Sequence, residues 1–400
     1  MSFDPLSPEF HRDPYPFYDM LRSFAPVFRH EDWNTWFITS YDDNVALLRD
    51  KRIGREILKV MSRQELGWGE PDPLYAPLME GNSHSMVFMD PPDHTRLRGL
   101  VHKTFTPKRI EGLRANIERI TRTLLDAVQS QNEIDIIADL ALPLPVKVIA
   151  DLLGVPEEEH ALLHPWSAAI TPSLELAPKP DELLKATGAA VEFADYLKRL
   201  AESRRKNPQD DLISALVEVE DGGDRLSEAE LISTCILLLM AGHETTVNLI
   251  GNGLFALLSH PVQLQSLIDD PTLIKTTVDE MLRYDSPVQI TARFALETFS
   301  YQGHQFKKGD QIGLMLGAAN HDPAQFMHPE IFDITREKNA HIAFGNGIHY
   351  CLGAPLARLE GEIAICTLLE RFPTMRLVDE APDYRPSYAL RGLKSLKVTY

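Results

Sequence analysis

Cysteine is scarce in this chain, whose 400 residues include only Cys235, Cys351 and Cys366. Three scattered thiols are too few for a disulfide framework, and this usage fits a reducing cytoplasm. They are also too few for an iron–sulfur cluster, which usually takes four thiolates. We therefore expect a cytoplasmic protein with neither a disulfide scaffold nor a cluster of its own.

Long hydrophobic runs and an excess of positive charge are lacking as well. The most apolar stretch, Leu231–Ala241, covers eleven residues, whereas a membrane-spanning helix needs roughly 20. Residues 1–16 are polar, are interrupted by proline and contain no basic-then-apolar signal segment. Acidic residues outnumber basic ones 58 to 40, and the net charge is −18. Because this charge disfavours nonspecific attraction to nucleic acid or anionic lipid, we expect neither nucleic acid nor a membrane as a partner.

The chain contains no internal repeat, low-complexity tract or long linker, and its 28 prolines are spread between segments. This pattern favours a single domain over residues 1–400, mainly α with a small β part. A β-hairpin is predicted from Val27–His30 and residues 35–39, which flank a polar turn. Residues 67–89 show sparse periodicity, and we interpret this long irregular segment as a candidate lid.

The strongest helix signal begins at Ser227. The sequence Ser-Glu-Ala-Glu forms a capping box, and the helical pattern then continues without proline to Ser259. Such a helix would be about 50 Å long at 1.5 Å per residue. Because residues 231–240 are apolar, we expect it to cross the centre of the molecule. A final long helix is predicted over residues 354–372.

The most informative segment is Phe344–Gly353, which reads FGNGIHYCLG. Its three glycines let the backbone approach a flat ligand, and freed N–H groups can point at the sulfur of Cys351. A thiolate in this position suits an iron ligand. One alternative is a glycine-rich turn with an inert buried cysteine. A dinucleotide-binding loop is disfavoured, because Tyr350 stands where the third glycine is needed.

A second polar cluster, AGHETT at residues 241–246, interrupts the long apolar helix. Buried polar groups are costly unless they find partners. Two structural explanations remain open: Thr245 could bond the carbonyl of Ala241, and Glu244 could form an ion pair. A zinc-protease helix is excluded, since the second histidine is missing at position 247.

Two further patterns are common in proteins of many kinds. Glu280 and Arg283 lie three residues apart on one predicted helix face, an arrangement that usually forms a solvated ion pair. His94 and Arg98 lie four residues apart on another helix, where surface charge is the usual explanation.

The cysteine segment resembles the haem-binding signature of cytochromes P450, Phe-x-x-Gly-x-x-x-Cys-x-Gly, at every defining position. The resemblance extends over essentially the whole chain. It implies the cytochrome P450 fold, with haem b (iron protoporphyrin IX) between the long central helix and the helix that follows the cysteine. It also implies that Cys351 is the proximal iron ligand, whose thiolate favours cleavage of the O–O bond.

The same resemblance assigns roles to other residues. Residues 241–246 look like the oxygen-activation motif, in which Thr245 would hydrogen-bond dioxygen and Glu244 would relay protons. His243 receives no role. Glu280 and Arg283 resemble the family's Glu-x-x-Arg, for which Arg336 is the candidate partner in a buried network that shapes the cysteine loop. The expected contacts to the haem propionates are His94, Arg98, Arg293 and His349, and those to the ring are Ala241, Phe344, Gly345 and Gly353.

The implied activity is that of a monooxygenase, which inserts one oxygen atom from dioxygen into a C–H bond of a hydrophobic small molecule. Polyketides and macrolides, terpenoids, steroids and fatty acids are all open as substrates. The pocket is expected at apolar or small residues, namely Leu237, Ala241, Val288, Ile290, Ala292 and Leu390. Two alternatives remain: a peroxygenase driven by hydrogen peroxide, and a haem-binding protein without turnover.

Electrons must come from elsewhere, because the chain has neither a flavin-binding pattern nor enough cysteines for a cluster. We therefore expect a ferredoxin or flavodoxin with its NAD(P)H-dependent reductase as partners. Such carriers are generally acidic and would dock on basic residues. The candidates are Lys103, Lys108, Arg109 and Arg358.

Overall fold

The structure, a computed structural model, describes residues 4–175 and 178–400. The first three residues of the polar N-terminal stretch therefore lie outside it. In this part of the chain the α-helices are α1 Pro8–Arg12, α2 Tyr15–Phe24, α3 Tyr41–Leu47, α4 Ala76–Ser83, α5 Asp93–Thr104, α6 Pro107–Gly112, α7 Arg114–Val128, α8 Pro143–Leu153, α9 Leu163–Ile170, α10 Pro180–Lys206, α11 Leu212–Glu218, α12 Glu228–Ser259, α13 Pro261–Asp269, α14 Ile274–Tyr284, α15 Leu316–Ala319 and α16 Ala354–Arg371. The strands are β1 Val27–His30, β2 Thr35–Ile38, β3 Ile53–Gly54, β4 Glu133–Asp135, β5 Glu220–Asp221, β6 Asp224–Arg225, β7 Thr291–Ala295, β8 Phe299–Tyr301, β9 His304–Phe306, β10 Gln311–Leu314, β11 Arg376–Leu377 and β12 Lys397–Thr399.

Contacts within the chain define two compact units. The first unit comprises the residues up to Gly54 together with Arg114–Leu144 and Thr245–Tyr400. The second unit comprises Arg55–Leu113 and Pro145–Glu244. The boundary inside α12 falls between Glu244 and Thr245. A single catalytic domain over residues 1–400 stays a prediction.

The main sheet belongs to the first unit and has the strand order β1-β2-β10-β7-β3. The pair β2 and β10 is parallel, and the other neighbours are antiparallel. The predicted hairpin is confirmed as β1–β2, with Asn34 in the left-handed region at its turn (φ 48°). Apolar side chains from alternate strand positions form a buried core under this sheet, among them Ile38, Ile312 and Leu314.

The long helix α12 is confirmed, including its capping box. The Glu230 amide donates to Ser227 Oγ (3.2 Å), and the Ser227 amide donates to Glu230 Oε2 (2.8 Å). In the first unit, α16 approaches the second half of α12 closely, because a Cβ on Gly361 would lie 3.2 Å from Leu249 Cδ2. Despite its length, neither α12 nor any other helix among the described residues has the length and apolarity needed to cross a membrane.

Residues 67–89 are more ordered than the sequence indicates. The expected irregular segment contains α4 and two 3₁₀ turns, Pro73–Tyr75 and Met86–Phe88. A contact distant in sequence holds α4 in place, since Ser233 Oγ donates to the Gly81 carbonyl (2.8 Å). The sparse periodicity hid this helix because its sequence, APLMEGNS, mixes apolar residues with Gly, Asn and Ser.

Candidate functional site

The cysteine segment of the first unit is folded by two left-handed glycines. Gly345 has φ 72° and Gly347 has φ 70°, values that favour glycine. A Cβ on Gly347 would overlap the carbonyl oxygen of Leu48, so the loop lies directly against the end of α3. Between the two glycines, Asn346 Oδ1 accepts from the Gly347 amide (2.7 Å) and from Arg49 Nε (2.9 Å). These contacts give the segment one defined course.

Cys351 lies at the end of this loop, three residues before the start of α16. Its amide donates to the Phe344 carbonyl (3.0 Å), which closes the loop, and its side chain is half-buried. A Cβ on Gly353 would be 3.9 Å from the sulfur, so the backbone lies close to Sγ. The nearby N-terminus of α16 favours negative charge on this sulfur.

The other two thiols are unsuited to the same task. Burial raises the pKa of Cys235 to about 12. Burial also raises the pKa of Cys366. Both side chains therefore stay protonated at neutral pH, whereas an iron ligand must be a thiolate.

The structure brings Glu280, Arg283 and Arg336 together behind the cysteine segment. Arg283 donates from Nε and Nη2 to the two Glu280 oxygens (both 2.8 Å), and Arg336 Nε lies 3.2 Å from Glu280 Oε2. Glu280 and Arg283 are completely buried. Burial of these charges is tolerated because each is paired and hydrogen-bonded.

Asn320, which the sequence analysis missed, links this network to the cysteine segment. Its carbonyl accepts from Arg283 Nη1 (3.0 Å), while its side-chain Oδ1 accepts from the Ile342 amide (2.8 Å). Ile342 lies two residues before Phe344. Asn320 stands out in the structure because it is a fully buried asparagine. The local sequence does not show that this position is buried.

The residues expected to hold the propionates are divided between the two units. In the second unit, His94 is buried and Arg98 is half-buried one turn later on α5. In the first unit, Arg293 on β7 is only 4% exposed, and His349 is half-buried in the cysteine segment. Arg293 Nη1 donates to the Ala292 carbonyl (2.8 Å) and to Thr291 Oγ1 (3.1 Å). Each unit thus contains one buried residue of this set, Arg293 in the first unit and His94 in the second.

One face of α12 is open although the helix is mostly buried. Leu237, Ala241 and Thr245 recur every four residues and share this face. Ala241 is exposed, and the other two are half-buried. Glu244, one position before Thr245, is buried. The small Ala241 side chain allows a flat group to approach this face.

The second unit contains a cavity of about 470 Å³. Of the predicted pocket residues, Leu237 lies in the lining of this cavity. Segment 67–89 also contributes to the lining, with residues from α4 and from the stretch that follows α4. Sequence reasoning missed the rest of the wall, which comes from α9, α10 and other positions of α12. The apolar or small side chains of the wall include Leu78, Phe88, Ile170, Ala194, Ile232 and Ile236.

Of the other predicted pocket residues, Ala241 belongs to the second unit but is not in this cavity's lining, and the remaining four lie in the first unit. Val288 and Leu390 form an antiparallel β-bridge, so the structure brings these two together. Ala292 pairs with Gly313 between β7 and β10. Ile290 is buried and lies against Gly313, where a Cβ would approach Ile290 Cδ1 to 2.8 Å.

Comparison with known proteins identifies the family. The family model described as "Cytochrome P450" matches residues 158–391. The polyketide biosynthesis cytochrome P450 PksS of Bacillus subtilis is 44% identical, over 100% of this chain and 98% of its own. The chain therefore belongs to the cytochrome P450 family, and it is an oxidoreductase of the P450 monooxygenase class.

Two solved structures show the same fold. P450BioI, in complex with acyl carrier protein ligated to hexadec-9Z-enoic acid, has a TM-score of 0.91 and 41% identity and covers 98% of this chain and 99% of its own. CYP109E1 from Bacillus megaterium, in complex with corticosterone, has a TM-score of 0.86 and 34% identity, with coverages of 98% and 99%. The predicted fold, mainly α with a small β part, is confirmed.

The family implies haem, and the residues present fit it. Cys351 lies in a glycine-built loop, and α12 presents the open face at Ala241. The Arg293 guanidinium is buried and is suited to a charge-assisted hydrogen bond with a carboxylate such as a propionate. This donor set, one sulfur with buried cationic groups, suits a porphyrin held by a single protein ligand to the metal.

Proposed function

We propose that this P450 binds haem b, with Cys351 as the iron ligand, and inserts one oxygen atom from dioxygen into a C–H bond of a hydrophobic small molecule. The geometry of the cysteine segment carries the proposal. Gly345 and Gly347 adopt left-handed conformations, and the Cys351 amide closes the loop on Phe344. When bound, haem would supply the activation of dioxygen.

The chain's own residues would bind and position the reactants. Arg293, His94, Arg98 and His349 would hold the two carboxylates of the haem by charge-assisted hydrogen bonds. Thr245 would present its hydroxyl as a hydrogen-bond donor on the open face of α12. Because Glu244 is buried beside it, this carboxyl would deliver protons into a water-poor site.

Replacing the sulfur tests the ligand assignment. We expect Cys351→Ser to abolish the thiolate-type spectrum of the reduced protein with carbon monoxide. Cys366→Ser is the matched control, because that side chain lies within α16 and should leave the spectrum intact. An unaltered spectrum in Cys351→Ser would show that another residue ligates the iron.

We infer a hydrophobic substrate from the lining of the cavity and from the related proteins. A cavity of about 470 Å³ with a mainly apolar wall suits a hydrophobic molecule. The compared proteins are named for polyketide biosynthesis or bound to an acyl chain or a steroid. Titrating the ferric protein with macrolides, terpenoids, steroids and fatty acids should give a saturable spin-state shift with one class. If none of these compounds shifts the spectrum, the result would favour a carrier-bound substrate, a compound outside the panel or the alternative without turnover.

A separate ferredoxin or flavodoxin with its reductase would supply the electrons, and the location would be cytoplasmic. Three of the predicted basic docking residues have acidic neighbours in the fold. Lys103 pairs with Asp221 (2.8 Å), Arg109 with Asp210 (3.8 Å) and Arg358 with Asp279 (2.8 Å). We therefore expect only a modest salt dependence of electron transfer.

A comparison of electron sources separates this proposal from its alternatives. Product formation with NADPH, ferredoxin and reductase should exceed that with hydrogen peroxide alone. The reverse order would favour a peroxygenase, and ligand binding without product under either condition would favour a protein without turnover.

A further inference from the structure

His243 lies beside the proposed proton-delivery residue but faces away from the open side of α12. It is completely buried. Successive residues of an α-helix are rotated by about 100°, so His243 lies about 200° from Ala241 and from Thr245. It therefore cannot contact a molecule bound on that face. Any effect of His243 on the reaction must act through the helix.

The imidazole of His243 is bonded to a different helix. Its Nδ1 lies 2.9 Å from Ser167 Oγ of α9, and both side chains are fully buried. The His164 ring packs edge-on against it, with 5.5 Å between ring centres. Because a buried polar pair is costly to separate, this bond fixes the rotation of the α12 turn relative to α9.

Gly242 allows the same turn to be held from another side. A Cβ at this position would lie only 3.1 Å from Ile149 Cδ1, so α8 packs directly on the helix backbone. The turn that ends in Glu244 is thus in contact with both α8 and α9.

Helix α9 also reaches the cavity of the second unit. Ile170, three residues after Ser167, belongs to the cavity lining. Trp166 of α9 stacks on Phe193 of α10, with 4.9 Å between ring centres, and α10 supplies Ala194 to the lining. A molecule that fills the cavity therefore meets helices whose position is linked to His243.

We propose that His243 is a positioning residue: through its hydrogen bond to Ser167 it links the cavity-lining helix α9 to the α12 turn that carries Glu244. Filling the cavity then steadies the turn that delivers protons. This inference rests on the proposed function for the role of Glu244. It assigns His243 a role in coupling substrate occupancy to oxygen chemistry, without contact to substrate or cofactor.

Hydrogen exchange of the haem-loaded protein tests the link without turnover. Ser167→Ala should speed exchange of the amides in residues 241–247 about tenfold, the factor expected for the loss of one buried hydrogen bond. Residues 252–258 of the same helix should be unchanged. Ser173→Ala is the matched control, because its hydroxyl bonds the Ile170 carbonyl (2.7 Å) and not α12. Equal exchange in Ser167→Ala and the control would overturn the inference.

Two substitutions of the histidine separate positioning from packing. His243→Asn keeps a polar atom near the position of Nδ1, whereas His243→Phe keeps the ring and removes the bond. With myristic acid as the probe substrate and NADPH, ferredoxin and reductase present, product per NADPH should fall at least about threefold in His243→Phe and Ser167→Ala. The KM should change less than twofold, and His243→Asn should restore most of the yield.

An equal loss in His243→Asn and His243→Phe would contradict positioning through the hydrogen bond. A changed KM with an unchanged product yield would also contradict it. Failure of the proposed function is recognised separately, since it would show as a missing thiolate spectrum in the wild-type protein. The exchange result does not depend on that outcome.

Discussion

The charged network of Glu280, Arg283 and Arg336 in the first unit and the cavity wall of the second unit hold their residues in opposite ways. In the network, two side chains are completely buried, the third is 11% exposed, and bonds to backbone carbonyls fix their positions. In the cavity wall, most side chains are apolar or small.

The difference shows how one fold can combine a rigidly held charged network with a cavity wall that tolerates substitution. Buried charges tolerate little change, because an unpaired member keeps the full cost of its desolvation. Apolar side chains act through shape and area, so a substitution there alters what fits more than whether the chain folds.

The largest expected effect comes from removing the central acid of the network. Glu280→Gln leaves Arg283 and Arg336 without a compensating charge, at a cost of about 3–5 kcal/mol in the free energy of unfolding. Urea unfolding and the amount of retained haem measure this effect. Glu133→Gln, in an exposed pair with Lys397 (3.3 Å), is the control and should cost less than about 1 kcal/mol. Similar unfolding curves for the two variants would show that the buried network stabilises the fold no more than an exposed ion pair does.

Glu360 is a buried acid of the first unit that, unlike Glu280, forms no ion pair within the described residues. Burial raises the pKa of Glu360 from 4.5 to about 8, and its Oε2 makes no hydrogen bond in the described part of the chain. Between these two pKa values the folded state keeps a proton that the unfolded state has lost. Stability therefore falls as the pH rises from about 4.5 to 8.

Glu360→Gln should remove that pH dependence. We expect the variant to match the wild type near pH 4.5 and to exceed its stability at pH 8 by about 2–5 kcal/mol, since one pKa unit corresponds to about 1.4 kcal/mol. Thermal unfolding at several pH values measures the difference. A variant that is less stable at pH 8 would indicate that the ionised carboxylate is stabilised in the fold.

The smallest effect on folding is expected in the cavity wall. Ala194→Phe adds a ring to a half-buried position that lines the cavity. The affinity for myristic acid should fall about tenfold, or about 1.4 kcal/mol, while the Tm changes by less than about 3 °C. Ala189→Phe, on the same helix but outside the cavity lining, serves as the control. A large loss of stability without a change in affinity would place Ala194 in the packed core.

Local signals made much of the site predictable. The cysteine segment is contiguous, and its glycines are required by the left-handed conformations at Gly345 and Gly347. The start of α12 was equally predictable, because Ser227 and Glu230 form a capping box within four residues. In each case the residues that determine the conformation lie next to one another in the chain.

Features that depend on distant partners were not predictable in the same way. Asn320 connects Arg283 with Ile342, and α4 is anchored by Ser233, more than 150 residues away. The His243–Ser167 bond joins α12 to α9 through residues 76 positions apart in the chain. A single sequence gives no pairing information at such separations, so these contacts emerge only from the folded chain.

The pairing of β4 with β12 affects how the protein is made in the cell. Ile134 is opposite Val398, and the first unit is assembled from three separate stretches of the chain. At 5–20 residues per second, the ribosome needs roughly 10–50 s to extend the chain from one partner to the other. The nascent protein must therefore keep Ile134 of β4 without this strand partner until Val398 has been translated.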